Sequence, residues 1–276
     1  KVLMTNPCYF NHEATLKMLG IATGYINVTA ADKFIPSPDA VRAAITPDVR
    51  AIALVNPNNP TGAVIPPATL TAIMDICRAH GIYLILDETY RDFMPAADDA
   101  GLIHHLYQSD GRAEWQDVLI GVYSFSKSYC IPGHRLGAVV AAPQLIKEMS
   151  KVMDNIQICA PRAGQIALAP MIEKLADWRA ANRQEMAARA AAFRDAFTHL
   201  KSWQVVSQGA YFGYVQHPFD APSLDVAAQL CRDTGVLTIP GDFFGTGQGQ
   251  FLRFAFANAE TSLINQLPSR LSLAKI

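Results

Sequence analysis

Short runs of apolar residues punctuate the first half of the chain, and the stretches between them carry apolar positions at helical spacing. The runs lie near 2–5, 25–28, 51–55, 82–86, 118–123 and 136–141. Each is short, nearly unbroken and bounded by turn residues, which is the pattern of strands buried on both faces. Between them, residues 10–19, 38–44, 66–80 and 143–153 predict helices. Strands alternating with helices in this way predict a mostly parallel, helix-covered α/β sheet.

The pattern changes in the second half. From about Ala163 the composition shifts to Ala, Arg and Glu, and residues 176–200 contain almost no helix breakers, so they predict one long helix. Strands follow near 204–206, 211–215, 236–239 and 251–256, with a helix near 224–232. The expected organisation is a large domain over residues 1–180 and a smaller α+β C-terminal domain over 181–276, the long helix connecting them. No internal repeat and no low-complexity segment interrupts this division.

Composition narrows the function. The chain has 276 residues, half of them hydrophobic, enough for one large core or two modest ones. A formal net charge of −1 and the absence of any run of about five like charges argue against nucleic acid as a partner. Nor does any apolar run approach the ~20 residues that span a bilayer. The five cysteines form no C-x-x-C pair and are odd in number, so they read as reduced thiols of a cytoplasmic protein. The histidines lack metal-ligand spacing; the adjacent His104 and His105 point apart and read as loop or helix-surface residues. Gly245, Gly247 and Gly249 miss the spacing of a phosphate loop and precede a strand, so they read as a flexible turn.

Candidate chemistry gathers at strand ends, where open α/β sheets bind ligands. After the 118–123 run come Ser124, Phe125, Ser126 and Lys127, with Arg135 eight residues further on. One amine and one phosphate-binding cation on a single turn suit a lysine Schiff base to pyridoxal phosphate. The 82–86 run leads into Asp87, Glu88, Thr89 and Tyr90. Asp87 is placed to keep a pyridine nitrogen protonated, and Tyr90 to return to the same side and donate its hydroxyl to the ring's phenolate oxygen. The competing reading makes Asp87 the N-cap of a following helix. The 51–55 run ends in Asn56, Pro57, Asn58, Asn59, Pro60, Thr61 and Gly62, a rigid turn whose Asn59 amide offers an uncharged hydrogen bond. Arg253 lies within an apolar strand pattern, where an unpaired buried charge costs several kcal/mol, so a ligand or a protein carboxylate must answer it unless it faces solvent.

These blocks, together with Pro7 to His12, Arg135 to Gly137 and Phe251 to Phe254, stand in an order and spacing that resembles the class I/II aminotransferases among the fold-type I pyridoxal phosphate enzymes. The resemblance runs from Pro7 to about Ala257 and is closest to the aspartate/aromatic branch. It implies that Lys127 carries the cofactor and shuttles the substrate proton. Asp87 would pair with the ring nitrogen, and Asn59 and Tyr90 would bond the phenolate oxygen. Ser124 and Arg135 match phosphate-binding positions, Tyr9 the aromatic residue stacked on the ring face, and Arg253 the residue that grips the substrate α-carboxylate. His12 sits where some relatives support the ring-pairing Asp. Amino acid and 2-oxo acid substrates and a homodimer are implied as well.

The family's N-terminal arm, the first strand and helices of its large domain, the N-terminal part of its small domain and its phosphate-binding turn have no counterpart in these residues. The chain therefore reads as the greater part of such an enzyme, and residues 1–276 alone are expected to aggregate or to bind cofactor weakly. Two alternatives use the same motifs: a lyase or decarboxylase on the same fold, and the aminotransferase-like domain of a transcriptional regulator. Side-chain specificity is not written in these positions.

Overall fold

A computed structural model describes residues 1–94, 101–108 and 114–276. Its first half runs β1 (Val2–Asn6), α1 (Phe10–Met18), β2 (Thr23–Asn27), α2 (Pro38–Ala44), β3 (Ala51–Val55), α3 (Pro67–His80), β4 (Tyr83–Asp87), β5 (Leu119–Ser124), the single turn α4 (Phe125–Ser128) and β6 (Gly137–Val140). The second half continues with α5 (Pro143–Ile156), α6 (Arg162–Leu168), α7 (Ala176–Thr198), β7 (Gln204–Gly209), β8 (Phe212–Gln216), α8 (Ser223–Thr234), β9 (Ile239–Pro240), β10 (Phe251–Ala255), α9 (Thr261–Ile264) and α10 (Leu267–Leu271).

The six strands of the first half form one sheet in the order β2-β1-β3-β4-β5-β6. All neighbours are parallel except β5 and β6, which are antiparallel. The predicted mostly parallel sheet is therefore present. Its interior strands read as unbroken apolar runs because helices cover them: Leu70, Ile73, Met74 and Cys77 project from one side of α3 into a core with Ile52, Leu54, Leu84 and Leu86. Gly81 ends α3 at φ +62°, the left-handed conformation that suits glycine.

A second, antiparallel sheet has the order β7-β8-β10-β9. The long helix α7 turns Phe193 and Phe197 onto it, where they pack with Phe254 and Phe256. The 236–239 strand shrinks to Ile239–Pro240, which pairs only with Leu252 and Arg253. Upstream the chain leaves β10 and Leu237 is 78% exposed, so no ladder forms there. The short helices α6, α9 and α10 were not apparent from apolar spacing, since each is under two full turns or little more.

Chain order makes β1 a switch point: β2 lies on one side of it and β3 on the other. In open α/β sheets the crevice at the carboxyl ends of such strands binds ligands. The segments after β1, β3, β4 and β5 all emerge at this edge.

Candidate active site

The register of the sheet builds the site. Val55, Asp87 and Val122 lie side by side across β3, β4 and β5. Two residues beyond Val122 the chain reaches Ser124, whose hydroxyl caps α4 by accepting from the Ser126 N–H at 3.3 Å. That turn projects Lys127 into a cavity of about 310 Å³ lined by Tyr9, Asn59, Asp87, Tyr90, Ser124 and Arg135, together with Val55, Thr89, Ser126 and Pro132. Seven of the eight residues singled out from sequence thus share one wall. The eighth, Arg253, stands behind Asn59 and donates to its Oδ1 at 2.7 Å.

Asp87 is held from two sides. Its Oδ1 accepts from the Thr89 N–H at 2.9 Å and from the Thr89 hydroxyl at 2.6 Å, and His12 Nε2 lies 3.3 Å from its Oδ2. Burial works to raise the carboxyl pKa, but the His12 and Thr89 hydrogen bonds outweigh it, and the group sits below its ordinary value. It is an anion in the neutral range. The helix-cap reading fails in detail: the next element is a 3-10 turn, Arg91–Phe93, capped by Tyr90 without a side-chain bond.

Tyr90 is buried, and its ring meets those of Tyr211 and Phe212 edge-on at 5.4 and 5.1 Å. Burial, then the neighbouring Tyr9 oxygen, push its hydroxyl up to about 12. Tyr9 is half-buried; its hydroxyl accepts from Asn11 at 2.8 Å and its ring stands edge-on to His12. Arg135 is exposed, sits at φ +52° and donates to the Pro132 carbonyl at 2.7 Å. A non-glycine residue held in the left-handed region at a site is a local strain that the surrounding turn must maintain.

Arg253 is half-buried, and no protein carboxylate lies within ion-pair reach of it among the described residues. Its guanidinium carbon lies 4.9 Å from the Phe212 ring centre and 5.2 Å from that of Phe244, and its buried Nε has no partner. Burial lowers its pKa, with Tyr90, Tyr211 and Tyr9 acting the other way. A guanidinium between aromatic rings with donors to spare is a ready carboxylate receptor.

Several contributors were missed in the sequence. Thr89 was readable, since a threonine two residues after an aspartate is an Asx-turn pattern; so was Ser126, inside the run that flagged Lys127. Phe212 and Phe244 were not, because they reach Arg253 only through the pairing of β10 with β8 and the turn after β9. The surface reading of His104 is corrected: it is buried, with Nε2 2.9 Å from Glu88 Oε1, while His105 is exposed. Strand alternation explains the partner, since Asp87 faces the cavity and Glu88 the opposite side. The glycine turn near 245–249 is docked on β1: Asn6 Nδ2 donates to the Thr246 carbonyl at 3.1 Å and the Cys8 N–H to Phe244 at 2.8 Å.

Two larger hollows, of about 700 Å³ beside Trp203 and about 490 Å³ beside Leu263, bring together no comparable set of amine, carboxylate and amide. No helix among the described residues is long and apolar enough to cross a membrane.

Lys127, the ionised Asp87, the Asn59 amide and Arg135 thus meet in one switch-point crevice. The sequence pattern of aminotransferase class I and II matches residues 1–271, and the chain belongs to that family. It is 26% identical to an aspartate aminotransferase of Sulfolobus acidocaldarius, over 99% of this chain and 68% of that protein. With an aromatic aminotransferase of Arabidopsis thaliana it shares 27% identity, over 98% of this chain and 67% of the relative. Among solved structures, an N-succinyldiaminopimelate aminotransferase of Mycobacterium tuberculosis superposes with a TM-score of 0.88 at 27% identity, covering 99% of this chain and 71% of that one. The chain thus spans about two thirds of the length of the curated relatives it matches.

Proposed function

We propose that this chain transfers an amino group from an amino acid to a 2-oxo acid, using pyridoxal 5'-phosphate held in the 310 Å³ cavity. The observation that carries the reading is the meeting of Lys127 with the ionised Asp87 in one cavity, from the ends of two neighbouring strands. The residues present fit the cofactor. Its volume is at the lower end of small-ligand sites, roughly 300–1,000 Å³. Lys127 has no acidic partner among the described residues and would hold the aldehyde. Asp87 would face the ring nitrogen, Tyr90 and the Asn59 amide the phenolate oxygen, Tyr9 the ring face, and Ser124 and Arg135 the phosphate.

When bound, the cofactor supplies an aldehyde for the amino group and a sink for the electrons left at the α-carbon. Lys127 Nζ would take the α-proton and return one. Asp87, fixed by Thr89 and His12, would keep the ring nitrogen protonated. Tyr90, its hydroxyl raised to about 12, remains a donor throughout the neutral range. Arg253 would receive the α-carboxylate, which answers a guanidinium that has no carboxylate partner among the described residues. The named relatives are aminotransferases, which favours transfer over elimination or decarboxylation and over a regulatory domain.

We also propose two domains, divided near residue 180, and a homodimer. The exposed Val152, Met153 and Ile156 on α5 and Val139 and Val140 on β6 form apolar surface of the kind that soluble chains cover by association.

The test is chemical. The protein loaded with cofactor should be yellow, bleach on borohydride reduction and retain a pyridoxyl group on Lys127. A panel of amino acids with 2-oxoglutarate and pyruvate as acceptors then reads the transfer. A pyridoxyl label on another lysine overturns the assignment.

A further inference from the structure

We propose that Arg179, acting through Asp92, Tyr123 and Tyr129, is a positioning residue for Lys127. The inference rests on the role assigned to Lys127 above. It starts from a mechanical difficulty: α4 is a single turn of four residues, too short to hold its own shape. Something outside the turn must fix the direction of the lysine.

The structure supplies a closed ring of contacts behind it. Tyr123, the last residue of β5 but one, donates its hydroxyl to Asp92 Oδ2 at 2.5 Å. Asp92 Oδ1 accepts from Arg179 Nη1 at 3.2 Å. The Arg179 guanidinium carbon lies 5.0 Å from the centre of the Tyr129 ring. Tyr129 caps α4 two residues after Lys127 and is buried. Phe125 completes the seat, with its ring 5.1 Å from Tyr123 and 5.4 Å from Tyr129. Tyr123 and Tyr129 therefore bracket the lysine turn, and one ion pair holds both.

Each member suits this task. Burial first, and then Asp92 beside it, keep the Tyr123 phenol well above its ordinary pKa, so it stays a donor. Asp92 and Arg179 have side chains 24% exposed each, which limits screening of their attraction. Arginine can pair with a carboxylate and lie over a ring at once because its fork is planar. Arg179 belongs to α7, the same helix that carries Phe193 and Phe197 into the second sheet, so the seat of Lys127 is joined to that helix and not only to its own sheet.

The experiment compares Arg179→Met, Arg179→Lys and Tyr123→Phe with the wild-type protein. Misplacing a reacting group by about an ångström costs up to a hundredfold in rate, so we expect kcat to fall about ten- to a hundredfold in Arg179→Met, with the amino-acid KM unchanged because Arg253 is untouched. Arg179→Lys keeps the ion pair and loses the stacked plane, so it should recover part of the loss. A second reading needs no cofactor: the rate of Lys127 acetylation by acetic anhydride, normalised to the other lysines by mass spectrometry, should rise in Arg179→Met and less in Arg179→Lys. If Arg179→Met does not fold, Tyr123→Phe, which removes one oxygen, gives the same two readings. Variants that lose only thermal stability, with kcat and Lys127 reactivity as in the wild type, overturn the positioning role. If wild-type Lys127 takes no pyridoxyl label, the functional reading fails instead, and the acetylation result still judges whether the ring of contacts orients the amine.

Discussion

Arg253 and Asn59 lie 194 positions apart in the chain and are joined by a single 2.7 Å hydrogen bond. That bond ties the second sheet to the loop after β3, and it leaves the guanidinium with donors for one more partner. The two candidate anion receptors should therefore separate cleanly. Losing a charge-assisted hydrogen bond costs about 1.5–3 kcal/mol, or roughly ten- to more than a hundredfold in affinity. Arg253→Ala should raise the amino-acid KM by that factor with cofactor affinity unchanged, and Arg135→Ala should weaken the cofactor instead. Fluorescence titration with pyridoxal phosphate and steady-state kinetics decide it. Equal loss of cofactor in both variants would remove the carboxylate role from Arg253.

Asp87 links the site to pH. Its pKa in the folded chain lies below the ordinary 3.8, so its ionised form contributes stability that is fully present above that value and is lost as pH falls through the folded one. In urea unfolding of the cofactor-free protein, the gap between wild type and Asp87→Asn should hold from about pH 7 to about pH 5 and close below about pH 4. With cofactor added, Asp87→Asn should still bind it while transamination collapses. A stability gap independent of pH, or near-normal turnover, would contradict the assignment.

Tyr90 gives a sharper pH test. Its hydroxyl is pushed up to about 12, first by burial and then by Tyr9, so it does not ionise in the range where enzymes are assayed. Tyr90→Phe should lower the rate yet leave the basic limb of the pH–rate profile where it was. A limb that moves or vanishes in Tyr90→Phe would show that the phenol titrates after all.

Much of this was readable beforehand, and the reasons are local. The ends of β3, β4 and β5 could be placed because their runs are unbroken and stop at Asn56, Asp87 and Ser124, all turn or cap formers. Asp87 and Ser124 themselves line the cavity, and Asn59 follows Asn56 by three residues, which is why the cavity wall was legible. What depends on distant pairing was not. His104 meets Glu88 across 16 residues, Phe212 meets Arg253 through the β8 and β10 register, and β9 is short because the chain upstream of it leaves β10. No window of sequence contains those contacts.

Gly62, in the loop after β3, packs closely against Gly209 at the end of β7 in the second sheet. It adopts φ +72°, and a Cβ there would collide with the backbone of Gly209. Gly62→Ala should cost more than about 1 kcal/mol, measured by urea unfolding, since it combines a left-handed backbone with overpacking. It should also raise the amino-acid KM, because Asn59, three residues away, would carry Arg253 with it. A neutral substitution would show that the loop and the end of β7 part easily.

The thiols divide by burial. Cys8 and Cys77 are buried and their pKa values are pushed up to about 12, chiefly by desolvation, whereas Cys130, Cys159 and Cys231 are exposed. Thiolates are the reactive form, so Ellman's reagent should modify three cysteines in the native protein and all five in denaturant. Rapid modification of Cys77 in the native chain would contradict its place under α3.

Four strand ends and a strand of the second sheet each give one piece of the cavity and its surroundings, and no two of the principal groups, Lys127, Asp87, Asn59 and Arg253, come from the same segment. A peptide covering one strand end alone would therefore hold at most one of them. Catalysis here works as a gauge of the whole assembly: along a denaturant series, activity should disappear together with the sheets, and grafting any one loop onto another scaffold would transplant a residue without its chemistry.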